Sequence, residues 1–373
     1  MILGATGSIG KQTIEVISQL EGFELVGISA HRNVKDAMRI IEFHGVQHVA
    51  FTDPEVVKDL RFVGTGVKIF HGSVAIEELL EATQPDVVMV AVAGRSGLGI
   101  TLKVLDSTAS RVCQANKEAL VLGGDFLKRR FKDSGVELIP VDSEHSAVFQ
   151  LLLGESRPSK VILTSSGGAL RDVPLEKLGE VTVEDVLAHP TWRMGKKITV
   201  DSATMVNKGL ELFEAMFLFD LNPDQLGCVI CRDSFVHAMV LFNDGVLKMH
   251  AGFPDMRVPI AYSLTHPRRL WKARTPRVDI LEVRFEPVDM KKYPAFALAR
   301  DILNEPSSLR IAYCVADDIA VEAFLRKQIG FLDIYRVIKS TVERMERCKC
   351  DDEEEIEELI HHAERIAREE VKR

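Results

Sequence analysis

Asp142 and Glu144 stand two apart in the stretch Val141-Asp142-Ser143-Glu144-His145, directly after the apolar, β-prone run 136–141. In an extended segment, residues two apart face the same way, so both carboxylates can aim at one point. Hard divalent cations such as Mg²⁺ or Mn²⁺ prefer such oxygen ligands. The same residues also read as a helix start, with Asp142 or Ser143 capping the run Ala147–Leu153. Further on, Ser165-Ser166-Gly167-Gly168 is a hydroxyl-rich, flexible turn able to take an anion on N–H and O–H groups. Residues 189–195 contain His189, Pro190, Trp192, Met194 and Gly195, the composition of a mobile lid. In Ile198–Thr204, Asp201 or Ser202 is a plausible N-cap for the helix that follows. There Asn207 and Glu211, four apart, share a face with Lys208 at its edge. Ser202, Asn207 and Lys208 suit a phosphate grip, and Glu211 is then placed to join Asp142 and Glu144. The plainer alternative is a solvated stripe on an amphipathic helix. That alternative leaves unexplained why the stripe follows a Ser-Gly-Gly turn and a lid-like loop.

Groups of this kind need a scaffold, and the first half supplies one. Met1-Ile2-Leu3 reads as the end of a strand running into Gly4-Ala5-Thr6-Gly7-Ser8-Ile9-Gly10, and then a helical pattern. Glycines at a strand–helix turn let backbone N–H groups approach a pyrophosphate seated on the helix N-terminus. The spacing is G-x-x-G-x-x-G, looser than the usual fingerprint. A second strand over Phe23–Ser29 leads to His31, Arg32 and Asn33, where an NAD site would place an acidic residue. His31 and Arg32 suit a 2′-phosphate, so NADPH is the expected cofactor. Strands over 46–51, 67–70, 87–91 and 111–113, with helices between them, predict a doubly wound parallel sheet. After Cys113, Asn116, Lys117 and Glu118 crowd a strand's carboxyl end, where open α/β sheets bind ligands.

With 373 residues, 46% of them hydrophobic, the chain is long enough for two or three domains. A net charge of −8 argues against nucleic acid or an anionic membrane as partner. No apolar run approaches the ~20 residues that span a bilayer, and the N-terminus enters a strand with no signal or transit segment. Six scattered cysteines suit a reducing cytoplasm. Cys228 and Cys231 have redox spacing but sit in a β-like stretch without a second pair, and Cys348-Lys-Cys350 is expected in a charged helix. From Phe253 to Pro294 the chain reads as a linker, and beyond Phe296 as helical. Tyr335 and Lys339 copy a dehydrogenase Tyr-x-x-x-Lys far from the dinucleotide half, and are read as packing and surface charge. His361-His362 reads as an exposed helix pair, and Asp351–Glu355 as a solvated helix start.

Taken together, the motifs resemble those of the 1-deoxy-D-xylulose 5-phosphate reductoisomerase family, NADPH-dependent enzymes of the non-mevalonate isoprenoid pathway. The matching blocks are Gly4–Gly10, Ala115–Val121, Pro140–His145, Ser165–Gly168, His189–Trp192, Val200–Glu211 and Gly252–Tyr262. The resemblance implies an α/β protein: a Rossmann-like NADPH domain over 1–141, an α/β catalytic (connective) domain over 142–265, a linker over 266–295 and a helical domain over 296–373. It implies Mg²⁺, Mn²⁺ or Co²⁺ on Asp142, Glu144 and Glu211. Ser166, Ser202, Asn207 and Lys208 would take the substrate phosphate, with Ser143, Lys117 and His189 near the sugar backbone. Lys117 and His189 would be catalytic together with the three carboxylates. Thr6, Gly7, Ser8, Ile9, His31, Arg32, Asn33, Asn116, Glu118 and Gly195 would contact NADPH, with Trp192 and Met194 in the lid. The implied reaction rearranges a phosphorylated ketose to an aldehyde, by retro-aldol cleavage and re-addition, and then reduces it. A homodimer is implied as well. Ser165 stands where Gly is frequent, and Cys231-Arg232 where His-Pro is more usual; neither touches an implied ligand. Two rivals remain. One is a semialdehyde dehydrogenase with Cys113 as nucleophile. The other is an NADPH-binding regulator, which the cost of unpaired like charges opposes.

Overall fold

The computed structural model describes residues 1–56, 66–192, 194–273 and 282–373. Arg193 of the lid-like segment and 274–281 of the expected linker lie outside the described residues. In chain order the first elements are β1 (Ile2–Leu3), α1 (Ser8–Ile17), β2 (Ile28–Ala30), α2 (Val34–His44), β3 (His48–Phe51) and β4 (Lys68–His71). There follow α3 (Ala75–Thr83), β5 (Val87–Val90), α4 (Gly97–Leu105), β6 (Arg111–Gln114), α5 (Lys117–Ser134), β7 (Glu137–Pro140) and α6 (Ser143–Leu152).

Strands β1–β7 form one parallel sheet in the order β4-β3-β2-β1-β5-β6-β7. The order reverses beside β1, the switch point where such sheets bind ligands. Ile2, Leu3, Ile28, Val49, Val88 and Met89 are fully buried, as parallel strands covered on both faces require. β2 is shorter than the expected Phe23–Ser29. It pairs with β1 over Ile28 and Ser29 and with β3 over Ile28–Ala30.

The second set of elements is β8 (Lys160–Ser165), α7 (Val183–Leu187), α8 (Lys196–Thr204), α9 (Val206–Phe219), β9 (Leu226–Ile230), β10 (Val236–Leu241) and β11 (Leu247–Ala251). After them come α10 (Arg257–Thr265), β12 (Glu286–Pro287), α11 (Pro294–Asp301), α12 (Ser307–Leu325), α13 (Phe331–Arg344) and α14 (Glu353–Val371). Strands β8–β12 make a sheet in the order β11-β10-β8-β9-β12, with β8 and β9 parallel and the other pairs antiparallel. Helix α12 is buried along most of its length and packs against α13 and α14. α14 starts at the cap Asp352, which accepts from the Glu355 N–H at 2.9 Å, with Glu353–Glu355 in the first turn. His361 is exposed there, as expected.

Cys348-Lys349-Cys350 is not helical. The Ser308 hydroxyl accepts from the Cys348 N–H at 3.0 Å and Ser307 from that of Cys350 at 2.8 Å, in place of helical carbonyls. All six cysteines are free thiols.

Packing divides the chain into two compact units. One comprises Met1–Ala119, Arg129–Ser146 and Asp255–Arg277; the other comprises Leu120–Lys128, Ala147–Pro254 and Val278–Arg373. The expected division at 141, 265 and 295 is therefore not the one that packing makes. Ile260, Ala261 and Leu264 of α10 join the core of the first unit beside Ile14, Ile28, Met89 and Cys113. A Pro- and Arg-rich composition hid a helix that is buried along most of its length.

Candidate active site

In the first unit the three glycines of the β1–α1 turn have separate reasons to be glycine. Gly4 has φ +88°, and a Cβ on it would lie 2.6 Å from the Ala91 carbonyl oxygen. A Cβ on Gly10 would lie 2.4 Å from the Gly4 carbonyl oxygen, so only glycine lets α1 start this close to the strand. Gly7 is the N-cap of α1 and brings no side-chain acceptor to the first-turn N–H groups, which suits an incoming anion. At the end of β2, His31 Nδ1 lies 2.9 Å from Thr52 Oγ1, and Arg32 pairs through Nε with Asp53. The Glu55 N–H, and then Arg32, hold the Asp53 carboxyl below its usual range. Asn33 caps α2, its side chain accepting from the Asp36 N–H at 3.0 Å.

Asn116 is likewise a cap, on α5, accepting from the Ala119 N–H at 2.7 Å. Its amide donates to the carbonyls of Val92 and Gly94, at 3.1 and 2.9 Å, and to Glu118 at 3.0 Å. Gly97 makes room for that amide: a Cβ there would lie 2.0 Å from Asn116 Oδ1. Sequence reasoning passed over Gly97, which no motif flags.

Next to Asn116, the Lys117 ammonium lies 3.1 Å from Asp142 Oδ2. The other oxygen, Oδ1, accepts from the Glu144 N–H at 3.1 Å and lies 3.0 Å from His145 Nδ1. Asp142 therefore sits at the start of helix α6, and the extended-strand premise for Asp142 and Glu144 is overturned. Their proximity comes from the cap, which turns the chain so that the side chain of one meets the backbone of the other. Ser143 donates to Glu144 Oε2 at 2.6 Å.

In the second unit, Ser166 follows β8 directly. Its hydroxyl lies 3.0 Å from His189 Nε2 and accepts from the Gly168 N–H at 3.2 Å. His189 Nδ1 accepts from the Thr191 and Trp192 N–H groups at 3.1 and 2.9 Å. With Nδ1 occupied as acceptor, the neutral ring carries its proton on Nε2 and donates to Ser166. Burial, and then the charge of Arg171, push the His189 pKa down to about 4, so the ring is neutral near pH 7.

Gly168 has φ +73°, and a Cβ on it would lie 2.4 Å from the Ser202 carbonyl oxygen. The Ser-Gly-Gly turn thus rests against the end of α8. Asp201 and Ser202 are not N-caps; they lie in the last turns of α8, whose N-cap is Gly195. Asp201 is committed elsewhere, pairing at 2.6 Å with Lys197, which also reaches Asp317 at 2.8 Å. The break before α9 falls at Met205, which takes a left-handed conformation (φ +57°). On α9 the buried Glu211 carboxylate accepts from both Asn207 and Lys208. Trp192 Nε1 donates to Ser234 Oγ at 3.2 Å, with its ring 6.4 Å from that of the buried His237. Neither Ser234 nor His237 stands in a motif that would have flagged it.

Cys113 is fully buried, and burial pushes its thiol up to about 11. A thiol so held is a poor nucleophile, which removes the basis of the semialdehyde dehydrogenase reading.

A doubly wound sheet with a glycine turn, followed by a unit that gathers hydroxyl, ammonium and carboxylate groups, belongs to the class of dinucleotide-dependent oxidoreductases. Comparison narrows the class. Residues 1–124 match the family model for 1-deoxy-D-xylulose 5-phosphate reductoisomerase, while 138–219 and 251–370 match its two C-terminal domain models. The reductoisomerase of Thermotoga maritima is 47% identical over 98% of this chain and 96% of its own length. That of a Geobacillus species is 42% identical over 98% of both. A crystal structure of the reductoisomerase with NADPH, fosmidomycin and magnesium superposes with a TM-score of 0.91 at 30% identity, over 100% of this chain and 97% of that one. The Zymomonas mobilis enzyme with NADPH gives 0.89 at 33%, over 100% and 98%. The chain belongs to the 1-deoxy-D-xylulose 5-phosphate reductoisomerase family.

Proposed function

We infer that this chain converts 1-deoxy-D-xylulose 5-phosphate to 2-C-methyl-D-erythritol 4-phosphate, using NADPH and a divalent metal ion. The observation that carries the reading is the 47% identity to the Thermotoga maritima reductoisomerase across 98% of the chain.

NADPH is assigned to Thr6, Gly7, Ser8 and Ile9 of the glycine turn, to His31, Arg32 and Asn33, and to Asn116, Glu118 and Gly195. Supporting this, the turn's closest approaches leave no room for Cβ atoms, and Gly7 leaves the first N–H groups of α1 to a ligand. Asp142, Glu144 and Glu211 are assigned to the metal. Their oxygens are the hard donors that Mg²⁺ and Mn²⁺ take. Lys208 supplies the compensating charge that the buried Glu211 carboxylate needs, and Lys117 stands against the half-buried Asp142. When bound, NADPH supplies the hydride and the metal ion Lewis acidity at the substrate oxygens.

The chain's own residues orient the substrate and hold protons. Ser166, Ser202, Asn207 and Lys208 are assigned to the phosphate. Because Ser166 Oγ accepts from His189 and from the Gly168 N–H, its own O–H is left to donate to a phosphate oxygen. Ser143, Lys117 and His189 are placed along the sugar, where Lys117 Nζ can hold a proton beside Asp142. Trp192 and Met194 are assigned to a lid that excludes water.

A homodimer is part of the same reading. β11 is an edge strand with Leu247 and Met249 exposed, a row of apolar side chains that a second copy would cover. A cytoplasmic location is supported by the six free thiols. Among the described residues no helix is long and apolar enough to cross a membrane.

The deciding assay follows NADPH absorbance with 1-deoxy-D-xylulose 5-phosphate after chelation, with and without added Mn²⁺. Turnover that needs the metal, and falls at least about 100-fold in Glu211→Gln with the fold intact, is expected. Tight NADPH binding with metal present but no turnover would sink the assignment.

A further inference from the structure

The turn Ser165–Gly168 is held from behind by two side chains that no motif contains. Arg171 Nη1 donates to the Ser166 carbonyl oxygen at 2.9 Å and to that of Arg232, also at 2.9 Å. The Tyr293 hydroxyl donates to the Gly167 carbonyl oxygen at 2.9 Å. Tyr293 is 3% exposed, and burial pushes its pKa up to about 12, so it remains a donor throughout the working range. Lys292 anchors the segment that carries Arg171, donating to the Arg171 and Val173 carbonyls at 2.6 and 2.7 Å.

In a trans peptide the C=O and N–H point in opposite directions. Tying the Ser166 carbonyl to Arg171 therefore turns the Gly167 N–H the other way, and tying the Gly167 carbonyl to Tyr293 does the same for the Gly168 N–H. Both glycines have positive φ, +81° and +73°, and their N–H groups donate to the Ser165 and Ser166 hydroxyls, each at 3.2 Å, so the turn fixes the oxygen of Ser166. The Ser166 hydroxyl stands on the same turn.

We propose that Arg171 and Tyr293 are positioning residues that hold the two carbonyls of this turn back, and so keep the Gly168 N–H on Ser166 Oγ and the Ser166 O–H aimed at the substrate phosphate. The proposal rests on the phosphate assignment made above. Arg171 adds a positive charge to the same turn, and Tyr293 adds rigidity without charge. The two should therefore differ in size of effect but not in kind.

The test measures steady-state kinetics of the holoenzyme, with inorganic phosphate as a competitive inhibitor, for Arg171→Met, Arg171→Lys, Tyr293→Phe and Lys208→Ala. Arg171→Met is expected to raise the substrate KM and the phosphate Ki together by about tenfold, and Tyr293→Phe by about fivefold. In both, kcat and the KM for NADPH stay within about threefold of the parent. Arg171→Lys, which keeps charge and a donor, is expected to recover most of the loss. A merely structural role would instead lower kcat and thermal stability without moving the phosphate Ki.

Lys208→Ala separates the two readings. If it leaves the phosphate Ki unchanged, the phosphate assignment fails and this inference with it. If it raises the Ki while Arg171→Met and Tyr293→Phe do not, only the positioning role is overturned. Should Arg171→Met fail to fold, Tyr293→Phe and Arg171→Lys decide the matter by the same two constants.

Discussion

His189 illustrates how much of a residue's chemistry lies in its surroundings. The sequence marks it as a candidate beside a Pro and a Trp, and a histidine there invites a role as a proton carrier near pH 7. Its buried ring, with two backbone donors on Nδ1, is built to stay neutral instead. In an NMR titration its ring signals should show no inflection above about pH 5. The linkage follows in sign. The unfolded chain binds a proton near 6.5 and the folded one only near 4, so this group costs stability as pH falls from 6.5 towards 4 and nothing above. Arg32 was legible as a residue suited to a 2′-phosphate, but its partner Asp53, on the next strand's loop, was not. A pair 21 positions apart is joined by sheet register, and no local pattern announces it. Arg32→Ser should raise the KM for NADPH about tenfold and leave that for NADH within a factor of about two. Equal changes for both cofactors would show that Arg32 does not read the 2′-phosphate.

At the scale of elements, the parallel sheet was readable because its strands are continuous apolar runs bounded by turns. The helix breaks around the candidate site were not. α8 and α9 meet at a left-handed Met205, where glycine would be the usual signal, so Asp201 and Ser202 read as the start of α9 although they lie in the last turns of α8. Asp142 was readable both as a metal ligand and as a cap. The structure makes the cap a fact, and the cap is what holds the carboxylate still. Two substitutions test element-level statements. Gly97→Ala should push Asn116 off its carbonyl partners and weaken NADPH binding at least about tenfold, as measured by fluorescence titration, with the substrate phosphate Ki unchanged. Gln84, the exposed left-handed residue that ends α3 (φ 42°), works in the opposite direction. Gln84→Gly should stabilise the protein by about 1 kcal/mol, seen as a higher thermal midpoint.

For the molecule as a whole, composition allowed a chain of more than one domain, and the motifs rather than the composition carried the reading of what it does. The way the chain is shared between its two units was not readable, because α10 looks like a linker until its partners Ile14 and Ile28 are known. Ligands that bind only the folded protein should stabilise it in proportion to the logarithm of their concentration. NADPH and Mn²⁺ should each raise the thermal midpoint, and Glu211→Gln should abolish the Mn²⁺ shift while keeping that of NADPH.

The two units are drawn from three stretches of chain each, with changes at 119/120, 128/129, 146/147, 254/255 and 277/278. That interleaving bears on inheritance. A cassette cut once and spliced elsewhere could not carry the dinucleotide unit, because a fragment ending near 146 leaves Ile260, Ala261 and Leu264 behind and opens its core. Transfer of the dinucleotide unit to another protein would need its three stretches moved together.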